Sequence, residues 1–132
     1  MRVAHVKKEA YTDYIGRWHP DGFEQSPLAN PHRVGEPCKV CSKPGKPVTH
    51  ERGTTLTLYE TWLRNQWKQG ADNPARQELM RLAQKVADGE DVVLGCWCHP
   101  RACHGEILTN VIQTLIAKGV VTPTANKKGQ AS

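Results

Sequence analysis

The sequence predicts an α/β fold in which a small mixed sheet is covered by about three helices. Three observations indicate this class. Short segments rich in β-branched and aromatic residues lie near the start of the chain. Two stretches of helical periodicity follow, and a short apolar run then leads into a third. With 132 residues and 38% hydrophobic content, the chain suits one domain with a modest core.

The first half of the chain predicts two strands and two loops. Residues 2–6 alternate polar and apolar side chains, and residues 11–15 form a second strand segment that ends at Gly16-Arg17. Residues 18–31 are rich in turn-forming residues and predict an ordered loop. Residues 34–53 form a second loop. Loops of this length usually have a function or are held in place by internal contacts.

The second half predicts three helices and a buried strand. The first helix spans about residues 54–69 and ends at Gly70. Asn73 caps a second helix that starts with Pro74 and runs to about residue 87. Residues 92–94 form a buried strand, and a third helix covers about residues 103–118. This order is typical of a small Rossmann-like domain over residues 1–119, with a disordered basic tail at 120–132.

Composition narrows the partners and the compartment. The net charge of +5 favours anionic partners, although the basic residues are spread along the chain. The N-terminus lacks the apolar region of a signal peptide, and no apolar run approaches a membrane span, so a cytoplasmic protein is expected. Five Cys in two clusters favour metal binding or a reactive site over disulfides.

The Cys-rich turn at residues 95–105 is the predicted functional centre. It holds three Cys and two His within nine residues, between a buried strand and a helix. Ligands bind at such places in open α/β sheets. Three interpretations stay open: a site for an anionic, nucleotide-like ligand, a zinc site of unusual spacing, and buried thiols that only fill space.

Two residues of this turn suit chemistry. Cys103 at the helix start is a candidate nucleophile, and His104 is a candidate acid or base. No carboxylate stands out as a general base, so whether the protein is an enzyme stays open. The ligand pocket is expected to use glycine, amide, thiol and guanidinium groups from both loops and the turn, namely Gly16, Arg17, Asn30, Arg33, Cys98 and Arg101.

A zinc site is predicted in the loop at residues 34–53. Cys38 and Cys41 have the spacing of half a structural zinc site. His32 and His50 flank them and complete a local set of four ligands. The alternatives are that the loop shares cysteines of the Cys-rich turn, or that it holds two unligated thiols.

Several motifs resemble one bacterial and phage family. They are Y-I-G-R at 14–17, S-P-L-A-N-P at 26–31, L-G-C-W-C-H-P at 94–100 and C-H-G at 103–105. Together they resemble the family of domain of unknown function 4326 over about residues 2–116. The resemblance implies a bacterial or phage origin and a nucleotide-class ligand, as suspected for similar small Rossmann-like domains. The segment at 34–53 departs from the family pattern and looks like an insertion.

Two functions follow as hypotheses. The first is a protein that binds or processes a nucleotide or nucleoside-derived anion at the Cys-rich turn. The second is a zinc-stabilised module that binds nucleic acid or a host protein without catalysis.

Overall fold

A computed structural model of the chain describes residues 1–32, 42–97 and 103–124. These ranges contain a three-stranded sheet and three helices. In chain order the elements are β1 (Arg2–His5), β2 (Asp13–Tyr14), α1 (Arg52–Lys68), α2 (Pro74–Ala87), β3 (Val93–Cys96) and α3 (His104–Ala117). The predicted small α/β fold is therefore confirmed.

The sheet has the strand order β1-β3-β2, and both outer strands pair with β3 in parallel. The sequence predicted a mixed sheet, whereas the strands within the described residues are all parallel. The reason for the difference is that apolar patterning identifies a strand but not its direction, which is set by the connections between strands. Here the carboxyl ends of all three strands lie at one edge, called the carboxyl edge below.

The helices cover one face of this sheet. Val3 pairs with Leu94, and a Cβ added to Gly105 would lie 3.0 Å from Val3, so α3 begins tightly against that face. Helix α3 packs on β1 and β3, while α1 and α2 pack on α3. The buried core comprises large apolar side chains from all three helices and the sheet, including Ile15, Leu28, Tyr59, Leu79, Leu82, Leu94, Leu108 and Ile112.

The turn between α1 and α2 follows the predicted capping. The Asn73 side-chain oxygen accepts hydrogen bonds from the backbone N–H groups of Ala75 and Arg76, and Pro74 occupies the first helical position. The Asn73 amide also donates to Gln66, at 2.8 Å. One residue thus starts α2 and joins it to α1.

The chain remains packed beyond α3. Val121 is buried in the core, and the backbone N–H of Thr124 donates to Asp88 at 2.6 Å. The rest of the predicted tail, residues 125–132, lies outside the described residues. None of the helices within the described ranges is long and apolar enough to cross a membrane.

The opposite face of the sheet is crossed by the connection from β1 to β2. Side chains alternate along a strand, so Gly95 faces away from the side that Leu94 shares with α3. A Cβ on Gly95 would lie 2.7 Å from Cγ of Tyr11 and 3.1 Å from Val6, both in that connection. The crossing chain therefore occupies the space that a side chain at Gly95 would need.

We expect Gly95→Ala to destabilise the fold by about 1–3 kcal/mol, because its methyl group would overlap the Tyr11 ring. Urea unfolding followed by circular dichroism measures this. Gly53→Ala is the matched control, since nothing lies within 4 Å of a Cβ there and an alanine in α1 should stabilise by about 0.5–1 kcal/mol. Equal effects of the two substitutions would contradict the crossing as the cause.

Candidate functional site

The candidate site lies at the carboxyl edge, where β2 and β3 end and α3 begins. Beyond Tyr14, the backbone N–H of Ile15 still donates to the Gly95 carbonyl at 3.0 Å, so the chain stays extended up to Gly16. On the far side of the Cys-rich turn, Cys103 is the N-cap of α3. Strand β3 and helix α3 flank this segment as predicted, and the fold brings the segments at 15–17 and 103–104 together.

His104 connects these two segments. Its ring is buried, and Nε2 lies 2.8 Å from the carbonyl oxygen of Ile15. A carbonyl only accepts hydrogen bonds, so Nε2 bears the proton. Burial lowers the pKa of His104, the hydrogen bond to Ile15 opposes this, and the nearby Arg17 charge lowers it further. The ring is therefore neutral near pH 7, and Nδ1 has a free electron pair.

Cys103 lies beside that nitrogen. Its Sγ is 3.7 Å from Nδ1 of His104 and accepts a hydrogen bond from the backbone N–H of Gly105 at 3.3 Å. The Sγ atom of Cys96 lies 3.1 Å away, and the two cysteines are not joined by a disulfide. A thiol next to a neutral imidazole and a helix N-terminus has the arrangement of a nucleophile and its base, although both side chains are buried.

Arg17 holds the loop that follows β2. Its Nε donates to the carbonyl of Asn30 at 2.9 Å, and Nη2 donates to the carbonyl of His32 at 2.6 Å. The Asn30 side chain accepts from the backbone N–H of His32 at 2.9 Å and donates to the carbonyl of Thr55 at 3.4 Å. Both predicted ligand residues thus have partners within the protein, and they fix residues 17–32 against the start of α1.

Gly16 lies close to the side chain of Tyr14, the last residue of β2. A Cβ there would lie 2.5 Å from the Tyr14 hydroxyl, so the Tyr14 ring fills the space beside it. The same hydroxyl accepts a hydrogen bond from Trp97 Nε1 at 2.8 Å and donates to the Arg17 carbonyl. The backbone at 14–17 is therefore tied directly to the residue that follows β3.

An aromatic cluster on the sheet face opposite the helices was missed by the sequence reasoning. It consists of Tyr11, Tyr14, His19, Phe23 and Trp97. His19 stacks on Trp97 with ring centroids 4.5 Å apart, and Phe23 contacts Trp97 edge-on at 5.2 Å. The sequence contains a signal for it, because aromatic and His residues lie just before and after β2 and just after β3. The cluster packs beside the carboxyl edge.

Trp18 differs from this cluster because it is exposed. Its side chain remains 65% accessible, the largest exposure among the big apolar residues described. It directly follows Arg17 in the chain. An exposed indole at the carboxyl edge offers a flat apolar surface to a ligand.

The two histidines of the predicted zinc site lie close to each other. His32 and His50 are both buried, and their ring centroids lie 5.6 Å apart. No group of three or more His, Cys, Asp or Glu in the described part of the chain is placed to hold a metal. The remaining predicted site residues lie outside the described residues, namely Arg33, Cys38, Cys41, Cys98 and Arg101.

The chain matches a known protein family. A family model described as a domain of unknown function, number 4326, matches residues 1–114, a range that spans the three described strands and most of α3. No curated protein and no solved structure matches the chain.

We expect His104 to make stability depend on pH. Its pKa is lowered in the folded chain, so the unfolded state binds more protons below about pH 6.5. The contribution of His104 to the free energy of unfolding is complete above that pH. It falls as the pH drops towards the pKa of the folded state, by at most about 1.4 kcal/mol per pH unit.

His104→Gln tests this, because glutamine can still donate to the Ile15 carbonyl but does not titrate. Urea unfolding between pH 7 and about pH 5 should show a shallower loss of stability in the variant than in the unaltered protein. His5→Gln, at a less buried histidine, controls for the loss of an imidazole. Equal slopes for His104→Gln and the unaltered protein would contradict the assignment.

Proposed function

The chain belongs to the family of domain of unknown function 4326, and we propose that it binds a nucleotide or nucleoside-derived anion at the carboxyl edge of its sheet. The observation that supports this most directly is the hydrogen bond from His104 Nε2 to the Ile15 carbonyl. It joins the chain after β2 to the first residue of α3 at the place where parallel sheets bind ligands.

The charge at this edge suits an anion. The Arg17 guanidinium is close enough to His104 to lower the pKa of the ring. The N-terminal end of α3 adds the partial positive charge of a helix start. Two of its first backbone N–H groups, those of Gly105 and Glu106, already bond to Cys103. Anion contacts are therefore proposed for guanidinium groups, including the predicted Arg33 and Arg101.

The aromatic side chains suit a base. Trp18 is exposed and adjacent to Arg17, so a base stacked on its indole would keep an attached phosphate near the guanidinium. Stacking on an aromatic side chain tolerates any base, because every base has a π-face. An aromatic surface beside a cationic group fits a nucleotide better than it fits a simple inorganic anion.

For a reaction on the bound ligand, Cys103 and His104 supply the chemical groups. Nδ1 of His104 is positioned to take the proton of the Cys103 thiol, while the Ile15 carbonyl holds the ring in the required tautomer. Both side chains are buried, so catalysis requires the ligand to reach Cys103 from the carboxyl edge. Binding is therefore the proposed function, and this pair is the proposed chemistry if turnover is found.

We expect nucleoside mono-, di- or triphosphates to bind the protein and to quench tryptophan fluorescence. Isothermal titration calorimetry with a panel of nucleotides and their free nucleosides measures the affinity. Trp18→Ala should weaken binding about tenfold or more, because stacking contributes about 1–3 kcal/mol per base. Arg17→Ala should also weaken it, with thermal unfolding monitored because Arg17 bonds to two loop carbonyls.

Arg64→Ala, at an exposed arginine on α1, is the charge-matched control and should leave affinity unchanged. Failure of every nucleotide to bind at millimolar concentration would overturn the proposal. Salt-sensitive binding to an oligonucleotide alone would instead support the nucleic-acid module.

A further inference from the structure

We propose that His32 and His50 are two ligands of a zinc ion. These buried histidines lie on either side of residues 33–49, one at the end of the first loop and the other directly before α1. The proposed site is separate from Cys103 and His104, and it does not depend on nucleotide binding.

The separation of the two rings fits a shared metal ion. Their centroids are 5.6 Å apart and their planes are inclined at 74°. A zinc–nitrogen bond is about 2.0–2.1 Å long, so two imidazoles on one tetrahedral zinc have centroids about 5 Å apart. The rings therefore need only a small adjustment to share an ion.

His50 has an unsatisfied buried nitrogen. Its Nε2 has no hydrogen-bond partner within the described part of the chain, and the residue is only 8% exposed. Leaving such an atom unpaired destabilises the fold, and buried polar groups in native proteins nearly always have a partner. A neutral imidazole nitrogen is also the atom that binds zinc. A metal ion at this position would remove the penalty.

The backbone presents both histidines from fixed positions. The carbonyl of His32 accepts from Arg17, and its N–H donates to the Asn30 side chain. His50 precedes Glu51, the N-cap of α1, whose carbonyl accepts the first helical hydrogen bond from Thr55 at 3.0 Å. The approach of the two rings is thus set by the ordered first loop and by the start of a helix.

Zinc is favoured by the donors that this chain can supply. Structural zinc sites are four-coordinate and combine histidine nitrogen with cysteine sulfur. The described residues provide the two nitrogen donors. The role inferred for the ion is structural, because it would hold the end of the first loop beside the start of α1.

Metal content of the purified protein tests the site. Inductively coupled plasma mass spectrometry should find about one zinc per chain after desalting, as in a closed structural site. His50→Ala and His32→Ala should each lose most of it, whereas His5→Ala, at a histidine outside the pair, should retain it. A zinc-free protein, or full zinc in the His32→Ala, His50→Ala double variant, would overturn the proposal.

A measurement on the unaltered protein keeps the test decisive if these variants do not fold. X-ray absorption at the zinc edge should show nitrogen neighbours at about 2.0–2.1 Å, as imidazole ligands give. A shell of sulfur alone would exclude both histidines and overturn the proposal. Nucleotide titration of zinc-loaded protein is a separate readout, so failure of the ligand proposal and failure of the zinc proposal are distinguishable.

Discussion

The close approach of Tyr11 to Gly95 is the constraint on which the rest of the fold depends. Both neighbours of β3 run parallel to it, so the chain leaving β1 must cross the face of β3 within residues 6–12 to start β2. Only a residue without a Cβ leaves room for that crossing. With one face of the sheet occupied in this way, all three helices lie on the other. The same crossing brings Tyr14 beside Trp97 at the carboxyl edge.

The candidate site is an extension of this backbone arrangement. The N–H of Ile15 donates to the Gly95 carbonyl, and the Ile15 carbonyl faces His104 Nε2. Ile15 thereby connects the central strand to the first turn of α3.

On the helical face of the sheet, the buried carboxylate of Asp13 bonds to Arg81 and Lys85 of α2. Burial raises the pKa of Asp13, but hydrogen bonds from Thr12, Lys85 and Arg81 together lower it, so the carboxylate stays charged and holds β2 against α2.

Local signals predicted the helices better than the sheet. The start of α2 follows from Asn73 and Pro74, whose effects operate within one helical turn. Strand β2 is shorter than its predicted segment because Tyr11 and Thr12 belong to the crossing, and strand direction has no local signal.

The candidate site was less predictable than the helices. The partners of Arg17 lie 13 and 15 residues away, so its role in holding the loop could not be predicted from neighbouring residues. His32 and His50 were grouped in the sequence because they flank one cysteine pair, and their rings lie near each other in the fold, while the zinc ion is a proposal.

The two proposed sites share a structural element. The carbonyl of His32 accepts from Arg17, while its ring pairs with His50. A zinc ion on these rings would restrain one acceptor of the guanidinium and hold the far end of the loop that begins at the carboxyl edge. The metal would therefore act on ligand binding through the position of Arg17, without contacting the ligand. His104 is oriented instead by the Ile15 carbonyl, which precedes this loop, so the Cys103–His104 pair shares no ligand atom with the proposed zinc site.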